Sequence, residues 1–451
     1  MMPSTSRRTF LRKAAIAAGA PAIGAAWAQR SPNEVINVAV VGFHGRGKDH
    51  YRAFAKMPNV RVAVLCDADE RLFPSAVAEV ERIAGYRPST EYDIRRLLER
   101  KDVDAVSIAT PDYWHALMTI WACQAGKDVY IEKPVSFTIV EGRRMVEAAR
   151  KYKRIVQAGL DLRSEREPRA AVRVLREGKL GQVYRGKVII TKPRASIGRM
   201  QESSIPEGVH WDLFLGPTRY MPYTSNRLHY GWHFFWETST TDIGNTGVHH
   251  LDVARWGMGK SVHPVKVHCT GGYYVWDSEQ ETPNFQVASF EYADRSIIDL
   301  ELSNLYAPPS PVFNLFYTSE GYMSCGNEWK AMTGVFEPRG PESLPTEHAT
   351  VAGAPKSTYL PGPPINAAAE PSASHFENFI SCVRSRKVED LYCDILEGHM
   401  STTLAHLANI SFRTGRKLVF DPDKERFVGD VEANSYLTRE YRKPYTLPDQ
   451  V

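Results

Sequence analysis

The sequence lacks the features that mark several protein classes. Its six cysteines, Cys66, Cys123, Cys269, Cys325, Cys382 and Cys393, are scattered, with no C-x-x-C pair and no metal-ligand spacing. They are expected to be buried thiols, not a disulfide framework. There is no surplus of charge outside the N-terminus. Arg7, Arg8, Arg12 and Lys13, all within residues 1–28, account for the formal charge of +4, and the rest of the chain is balanced. That balance argues against nucleic-acid partners and against a basic membrane patch. The apolar segment Ala14 to Trp27 is too short and too rich in Ala and Gly to span a bilayer. Repeats and low-complexity blocks are missing. What remains is the composition of a soluble globular chain, with 43% hydrophobic and 24% charged residues over 451 positions, enough for two domains.

The N-terminus reads as an export signal. Ser6-Arg7-Arg8-Thr9-Phe10-Leu11-Arg12-Lys13 is a twin-arginine motif, and Ala26-Trp27-Ala28 is an A-x-A cleavage site. The expected location is periplasmic or otherwise exported, with cleavage after Ala28. The twin-arginine route carries folded proteins, which suits a protein that takes up a tightly bound cofactor before transport.

Residues 35–67 organise the rest. Val38 to Val41 is a short β-branched run suited to a strand buried on both faces. A glycine turn at Gly42, Gly45 and Gly47 precedes a helical pattern from Lys48 to Met57. Pro58-Asn59 breaks that pattern, Val60 to Leu65 is a second strand, and Asp67 stands just past its end. This is the order of a dinucleotide-binding βαβ unit. The glycines admit a pyrophosphate to the backbone, and the helix start offers free N–H groups. Asp67 would accept from an adenosine ribose and disfavour a 2′-phosphate, so NAD is expected over NADP. His44 holds the middle glycine position, where its ring would crowd the pyrophosphate; Gly45 is the alternative point of close approach.

The alternation continues. Helices are expected over Arg71 to Ile83, from Asp93, over Leu117 to Ala125 and over Arg143 to Lys151. Strands are expected over Asp104 to Ala109, Asp128 to Ile131 and Ile155 to Gly159. Thr110-Pro111-Asp112-Tyr113-Trp114-His115 and Glu132-Lys133-Pro134 then fall at carboxyl ends of strands, where such sheets collect their chemistry. A lysine beside a reacting hydroxyl can polarise it or relay its proton.

These motifs, above all Glu132-Lys133-Pro134, resemble the Gfo/Idh/MocA family of NAD(P)-dependent sugar and polyol oxidoreductases, over nearly the whole chain after the signal. The resemblance implies an α/β fold. An N-terminal Rossmann dinucleotide-binding domain (35–156) would be joined to a C-terminal α+β substrate domain (157–451) with a large, mainly antiparallel sheet. Gly42, His44, Gly45, Arg46, Gly47, Asp67, Thr110, Pro111, His115, Glu132 and Lys133 would bind the cofactor. Gln157 and Arg163 would line the substrate cleft. In the family pattern Asp-x-x-x-His-x-x-Asp, His249 falls on the acid/base histidine and Asn245 on the aspartate. Asp242 is a candidate to replace the missing charge.

The aromatic segments 211–217 and 230–236 offer faces for sugar rings. Trp232, His233 and His250 are placed on the substrate side. Adjacent His249 and His250 would point apart on a helix, so no metal is expected. Phe285 to Phe290 and Ser296 to Glu301 read as a hairpin, and residues 337–373 as a long loop. Helices over Ser374 to Ser385 and Leu396 to Thr414 are expected to return to the first domain. The expected partner is a small sugar or glycoside, with self-association through the C-terminal sheet. The expected activity is hydride transfer between a sugar or polyol carbinol and NAD. Two rivals stand beside it: a redox-neutral, NAD-dependent glycosidase or lyase, and a non-catalytic carbohydrate-binding protein of the same fold.

Overall fold

The structure, a computed structural model, describes residues 34–306, 312–326, 329–335, 358–448 and 450–451. The export signal over 1–28, and most of the loop expected over 337–373, lie outside the described residues.

The first sheet holds β1 (Ile36–Val41), β2 (Val60–Cys66), β3 (Ser89–Glu91), β4 (Ala105–Ile108), β5 (Asp128–Ile131) and β6 (Val156–Ala158). Their order is β3-β2-β1-β4-β5-β6, with every pair parallel. Helices α1 (Gly47–Lys56), α2 (Phe73–Ala84), α3 (Ile94–Glu99), α4 (Asp112–Gln124) and α5 (Ile139–Lys151) connect the strands. Crossover helices cover both faces of such a sheet, which is why β4, β5 and β6 are buried at every residue. The strand order reverses between β1 and β4. Connections there leave in opposite directions and open a crevice above the carboxyl ends.

The helices α4 and α5 start a full turn or more earlier than expected. In α4 the turn begins at Asp112, five residues before Leu117, so Tyr113, Trp114 and His115 are buried helical residues. In α5 the Thr138 side chain accepts from the Glu141 N–H and caps the helix at Ile139, not Arg143.

The chain continues through α6 (Arg166–Arg176), α7 (Trp211–Leu215), α8 (Val248–Gly257), α9 (His375–Ser385), α10 (Ile395–Thr414) and α11 (Val431–Ser435). The second sheet contains β7 (Val183–Thr191), β8 (Lys266–Gly272), β9 (Phe285–Glu291), β10 (Ile297–Ser303), β11 (Val312–Thr318), β12 (Gly321–Gly326), β13 (Trp329–Val335), β14 (Thr358–Pro361), β15 (Leu418–Asp421) and β16 (Arg426–Phe427). Its order is β14-β13-β12-β11-β7-β10-β9-β8-β15-β16. Only β7 and β10 run parallel; the remaining ladders are antiparallel. The expected hairpin is β9–β10, in register from Ile297 opposite Glu291 to Ser303 opposite Phe285. Ile298, Leu300 and Leu302 point to the helices, whereas Asp299 and Glu301 point away, as period-two patterning requires. Part of the expected long loop is ordered as β14, which extends the sheet beyond β13.

Helix α10 is buried along most of its length and joins the two halves. Its Leu404, Ala405 and Leu407 share a core with Ile139 of α5 and with Val188 and Leu300 of the second sheet. From α9, Phe379, Ile380 and Val383 pack with Ile36 and Val38 of β1. Helix α9 thus packs on the first sheet, while α10 lies between α5 and the second sheet. All six cysteines are buried and unpaired. Among the described residues no helix is long and apolar enough to cross a membrane.

Candidate active site

The crevice above β1 and β4 opens into a cavity of about 440 Å³. Its dinucleotide end is built by the glycine turn. Gly42 has φ +76°, and a Cβ there would lie 2.8 Å from the Thr110 nitrogen. At Gly47 a Cβ would lie 2.0 Å from the Gly42 oxygen, so α1 starts tight against the turn only because both side chains are absent. No side chain caps the α1 N-terminus. Gly45 faces open space: a Cβ there would meet nothing within 4 Å, which leaves the backbone open to a ligand. Asp67 lines the same end. Its Oδ2 accepts from the Phe43 N–H at 2.9 Å and its Oδ1 from the Asp69 N–H at 3.0 Å. Burial pushes its carboxyl up to about 6, against the pull of those two bonds. An uncapped helix start, an open glycine and a strand-end acid together fit a dinucleotide.

A segment from the second half closes over this end. The His44 ring stacks on His229, 3.8 Å between centroids and 9° between planes. His229 Nε2 lies 2.7 Å from Asp69 Oδ2, and His210 Nε2 lies 2.5 Å from Glu70 Oε1. Tyr92 stacks on His210 at 4.1 Å, and the Glu70 N–H donates to the Gly208 carbonyl at 2.8 Å. Residues 208–229 therefore form a clasp held to the loops after β2 and β3.

At the other end, Lys133, Asn245 and His249 line the cavity with Asp161, Trp232 and His233. Lys133 Nζ donates to the Asn245 carbonyl at 2.6 Å and to its Oδ1 at 3.2 Å. Asn245 sits in a π-turn, Ile243–Gly247, that leads into α8, a feature common at functional sites. His249 Nδ1 is buried, has no hydrogen-bond partner among the described residues, and lies 3.5 Å from Asp161 Oδ1. Burial, then the Lys133 charge, push the His249 imidazole down to about 4, while Asp161 and Glu132 oppose them. The ring is therefore a neutral imidazole at neutral pH, a base that can accept a proton. Glu132 Oε1 meets His50 Nε2 at 3.0 Å and Arg46 Nε at 3.3 Å. Burial alone would raise the Glu132 carboxyl, but His50, Arg46 and Lys133 outweigh it and hold it well below the usual range. Trp232 and His233 stack at 3.5 Å and form an aromatic wall.

Six of the expected site residues are not on this wall. Gly47 packs beneath the turn, as described. The ring nitrogens of His115 face the carbonyls of Pro134 (2.7 Å) and Thr110 (2.8 Å), so it ties the two strand-end motifs together from behind. Gln157 is fully buried in β6 and donates to the His375 carbonyl at 2.7 Å. Arg163 is buried against Asp252 and Glu397 instead of facing substrate. His250 turns to the second sheet, where Nδ1 lies 2.9 Å from Asn314 Oδ1. Asp242 is held by Arg194 at 2.5 and 2.6 Å, which keeps its carboxyl ionised but neutralises its charge. It reaches the cavity only through Asn245, whose Nδ2 donates to it at 2.9 Å. His249 and His250 do point apart.

Asp161, Asp112, His50 and Lys192 escaped the reading of the sequence. Asp161 carries one available signal: it stands three residues past β6, at the carboxyl end of a parallel strand. Asp112 lies inside the Thr110–His115 motif. Its Oδ2 accepts from Thr240 Oγ1 at 2.5 Å, and burial pushes its carboxyl up to about 7. Away from the cavity, His263 and His399 both direct Nε2 at Glu425 Oε1, each at 2.8 Å. The Arg143 guanidinium pairs the same carboxylate at 2.6 Å and already supplies the positive charge there.

The comparisons with known proteins agree with this geometry. Residues 36–160 match the family described as an oxidoreductase family with an NAD-binding Rossmann fold, and residues 195–305 and 363–447 match its C-terminal alpha/beta domain. The chain belongs to the Gfo/Idh/MocA oxidoreductase family. Residues 36–160 form its NAD-binding Rossmann domain. Among solved structures, the WlbA dehydrogenase of Chromobacterium violaceum, in complex with NADH and UDP-GlcNAcA, is 20% identical. It superposes with a TM-score of 0.62 over 87% of this chain and 97% of that one. Levoglucosan dehydrogenase in complex with NADH is 16% identical, with a TM-score of 0.60 over 85% and 98%. At those identities the likeness is one of fold. The alpha-N-acetylgalactosaminidase of Shewanella oneidensis is 27% identical over 158 residues. A glycosyl hydrolase family 109 protein of Shewanella putrefaciens matches to the same extent. The chain spans about a third of the length of these curated relatives, 34% in each case.

Proposed function

We propose that this protein is a NAD-dependent enzyme acting on a sugar or polyol carbinol, with the cofactor retained under the 208–229 clasp. The observation that carries the reading is the convergence of Lys133 and His249 in the cavity that also holds the glycine turn and Asp67. NAD, when bound, supplies the two-electron acceptor. The protein's own groups do the rest. Lys133 Nζ, turned to the Asn245 carbonyl, is placed to polarise a substrate hydroxyl oxygen. His249, neutral at neutral pH, takes the hydroxyl proton. Trp232 and His233 give a ring face to stack on. Asn245, with its amide fixed between Lys133 and Asp242, holds the lysine ammonium in place without competing for the proton. Export by the twin-arginine route fits a protein that leaves the cytoplasm folded and loaded.

A second reading has its own support. The curated relatives named above are glycosidases, and Asp112 is a cavity carboxyl that keeps a proton near neutrality. In a redox-neutral cycle, transient oxidation of the sugar acidifies a neighbouring C–H. The aglycone then leaves with a proton, water adds, and the carbonyl is reduced again. Asp112 is the group to hand that proton to the departing oxygen. The two readings separate in one experiment. The purified protein is incubated with NAD and a panel of free sugars, polyols and nitrophenyl glycosides. Reduced-nicotinamide absorbance and nitrophenol release are followed together. Net NADH supports the dehydrogenase; nitrophenol without net NADH supports the glycosidase. Neither signal on any member, with cofactor bound, counts against both.

A further inference from the structure

The residue four before His249 is Asn245, which carries no charge. Its Oδ1 faces Lys133 and its Nδ2 is spent on Asp242. Asp242 is in turn neutralised by Arg194. No carboxylate of the π-turn is left to serve the histidine. One reaches it from the opposite wall. Asp161 Oδ1 lies 3.5 Å from His249 Nδ1, a buried atom with no hydrogen-bond partner among the described residues. The other oxygen of Asp161 accepts from Arg46 Nη2 at 2.8 Å, so the carboxylate is already oriented.

The backbone that carries Asp161 is anchored to the helix that carries His249. Asp161 opens the short turn Asp161–Ser164, and Arg163 in that turn donates from Nε and Nη2 to the two oxygens of Asp252, both at 2.8 Å. Asp252 lies one helical turn after His249 in α8. On the far side, Ser164 pairs with His375 of α9. The distance from Asp161 to His249 is thereby set by a buried ion pair, not by a mobile loop.

We propose that Asp161 is the positioning carboxylate of His249. It holds the proton on Nδ1, leaves Nε2 as the basic nitrogen, and stands as counter-charge when the ring takes a substrate proton. The proposal rests on the reading of His249 as the base. Charge balance is simple: the hydroxyl proton moves to Nε2, Nδ1 keeps its own, and Asp161 stays ionised throughout. The titratable groups facing His249 are Lys133 and Glu132 from the loop after β5, Asp161 from the turn after β6, and His250 on its own helix. Lys133 and His250 favour the neutral ring. Glu132 favours the charged ring but is shared between His50 and Arg46, which leaves Asp161 as the acid turned to Nδ1. An oriented aspartate on the far nitrogen of a basic histidine is an arrangement that fixes tautomer and stabilises the imidazolium.

The test is a histidine titration by NMR on the full chain with NAD bound and isotope-labelled histidine. The His249 signal is assigned by its loss in His249→Gln. In the unsubstituted protein the neutral ring is expected as the Nδ1–H tautomer; an Nε2–H tautomer would overturn the proposal without any variant. In Asp161→Asn the pKa of His249 is expected to fall by roughly one unit or more, and in Asp161→Glu to stay within about half a unit. A fall of less than about half a unit in a folded, cofactor-bound Asp161→Asn protein also overturns it. The readout needs no substrate. If His249→Gln retained turnover, the reading of His249 as the base would fail while the measured pairing stood.

Discussion

Arg163 donates to both carboxylate oxygens of Asp252 at 2.8 Å, and neither side chain is in appreciable contact with solvent. The pair fastens the turn after β6 to α8, and so fastens one wall of the cavity to the other. Removing Asp252 takes away the two-pronged partner of a buried guanidinium and leaves it the single contact to the more exposed Glu397. Asp252→Ala is expected to destabilise the fold by about 3–5 kcal/mol, read as a lowered urea midpoint. An unchanged midpoint would show the pair to be dispensable.

Lys133 is placed to act on the substrate oxygen while its neighbour Glu132 is held by His50 and Arg46. Lys133→Ala is therefore expected to lower turnover roughly a hundredfold to ten-thousandfold. Bound NAD, measured by calorimetry, should change little. Full turnover in Lys133→Ala would remove it from the chemistry.

The clasp predicts slow cofactor exchange. His229 both stacks on His44 and meets Asp69. His229→Ala is expected to speed NAD release about tenfold, the equivalent of roughly 1.4 kcal/mol, with the hydride-transfer groups untouched. Fluorescence-monitored displacement of NADH by NAD measures it. An unaltered release rate would mean that residues 208–229 do not retain the cofactor.

Acid should weaken the fold in a defined window. Burial pushes His399 down to about 4 and His406 to about 3, against an ordinary value of 6.5. The unfolded chain then takes up protons before the folded one. The stabilisation is complete above about 6.5 and is lost as pH falls towards about 4. The fall is expected to reach at least about 2 kcal/mol across that window, read from urea titrations at a series of pH values. His399→Gln should flatten the decline.

Much of the nucleotide end was legible because it is local. The strand before Gly42, the turn to Gly47, the helix and Asp67 follow one another along the chain, and the geometry of each depends on its neighbours. Glu132-Lys133-Pro134 was legible for the same reason, being fixed to a strand end. The substrate end is assembled from distant segments. The family resemblance put Arg163 and Gln157 at the substrate cleft, and His250 was expected there beside His249, but their directions depend on partners such as Asp252, His375 and Asn314, which no spacing reveals. Asp242 looked available until Arg194, almost fifty residues upstream, was seen to hold it. Asp161 went unmarked in the sequence because its significance lies in Arg46 and His249, which come from opposite halves of the chain.

The central claim is that the chain is a retained-cofactor NAD enzyme. The direct measurement is to purify the folded protein, denature it, and identify the released nucleotide by mass and absorbance. The account predicts NAD in near-stoichiometric amount with little NADP, since the Asp67 carboxylate at the nucleotide end of the cavity would repel a 2′-phosphate. A folded protein that releases no nucleotide, and that binds neither NAD nor NADP when they are added, would contradict it.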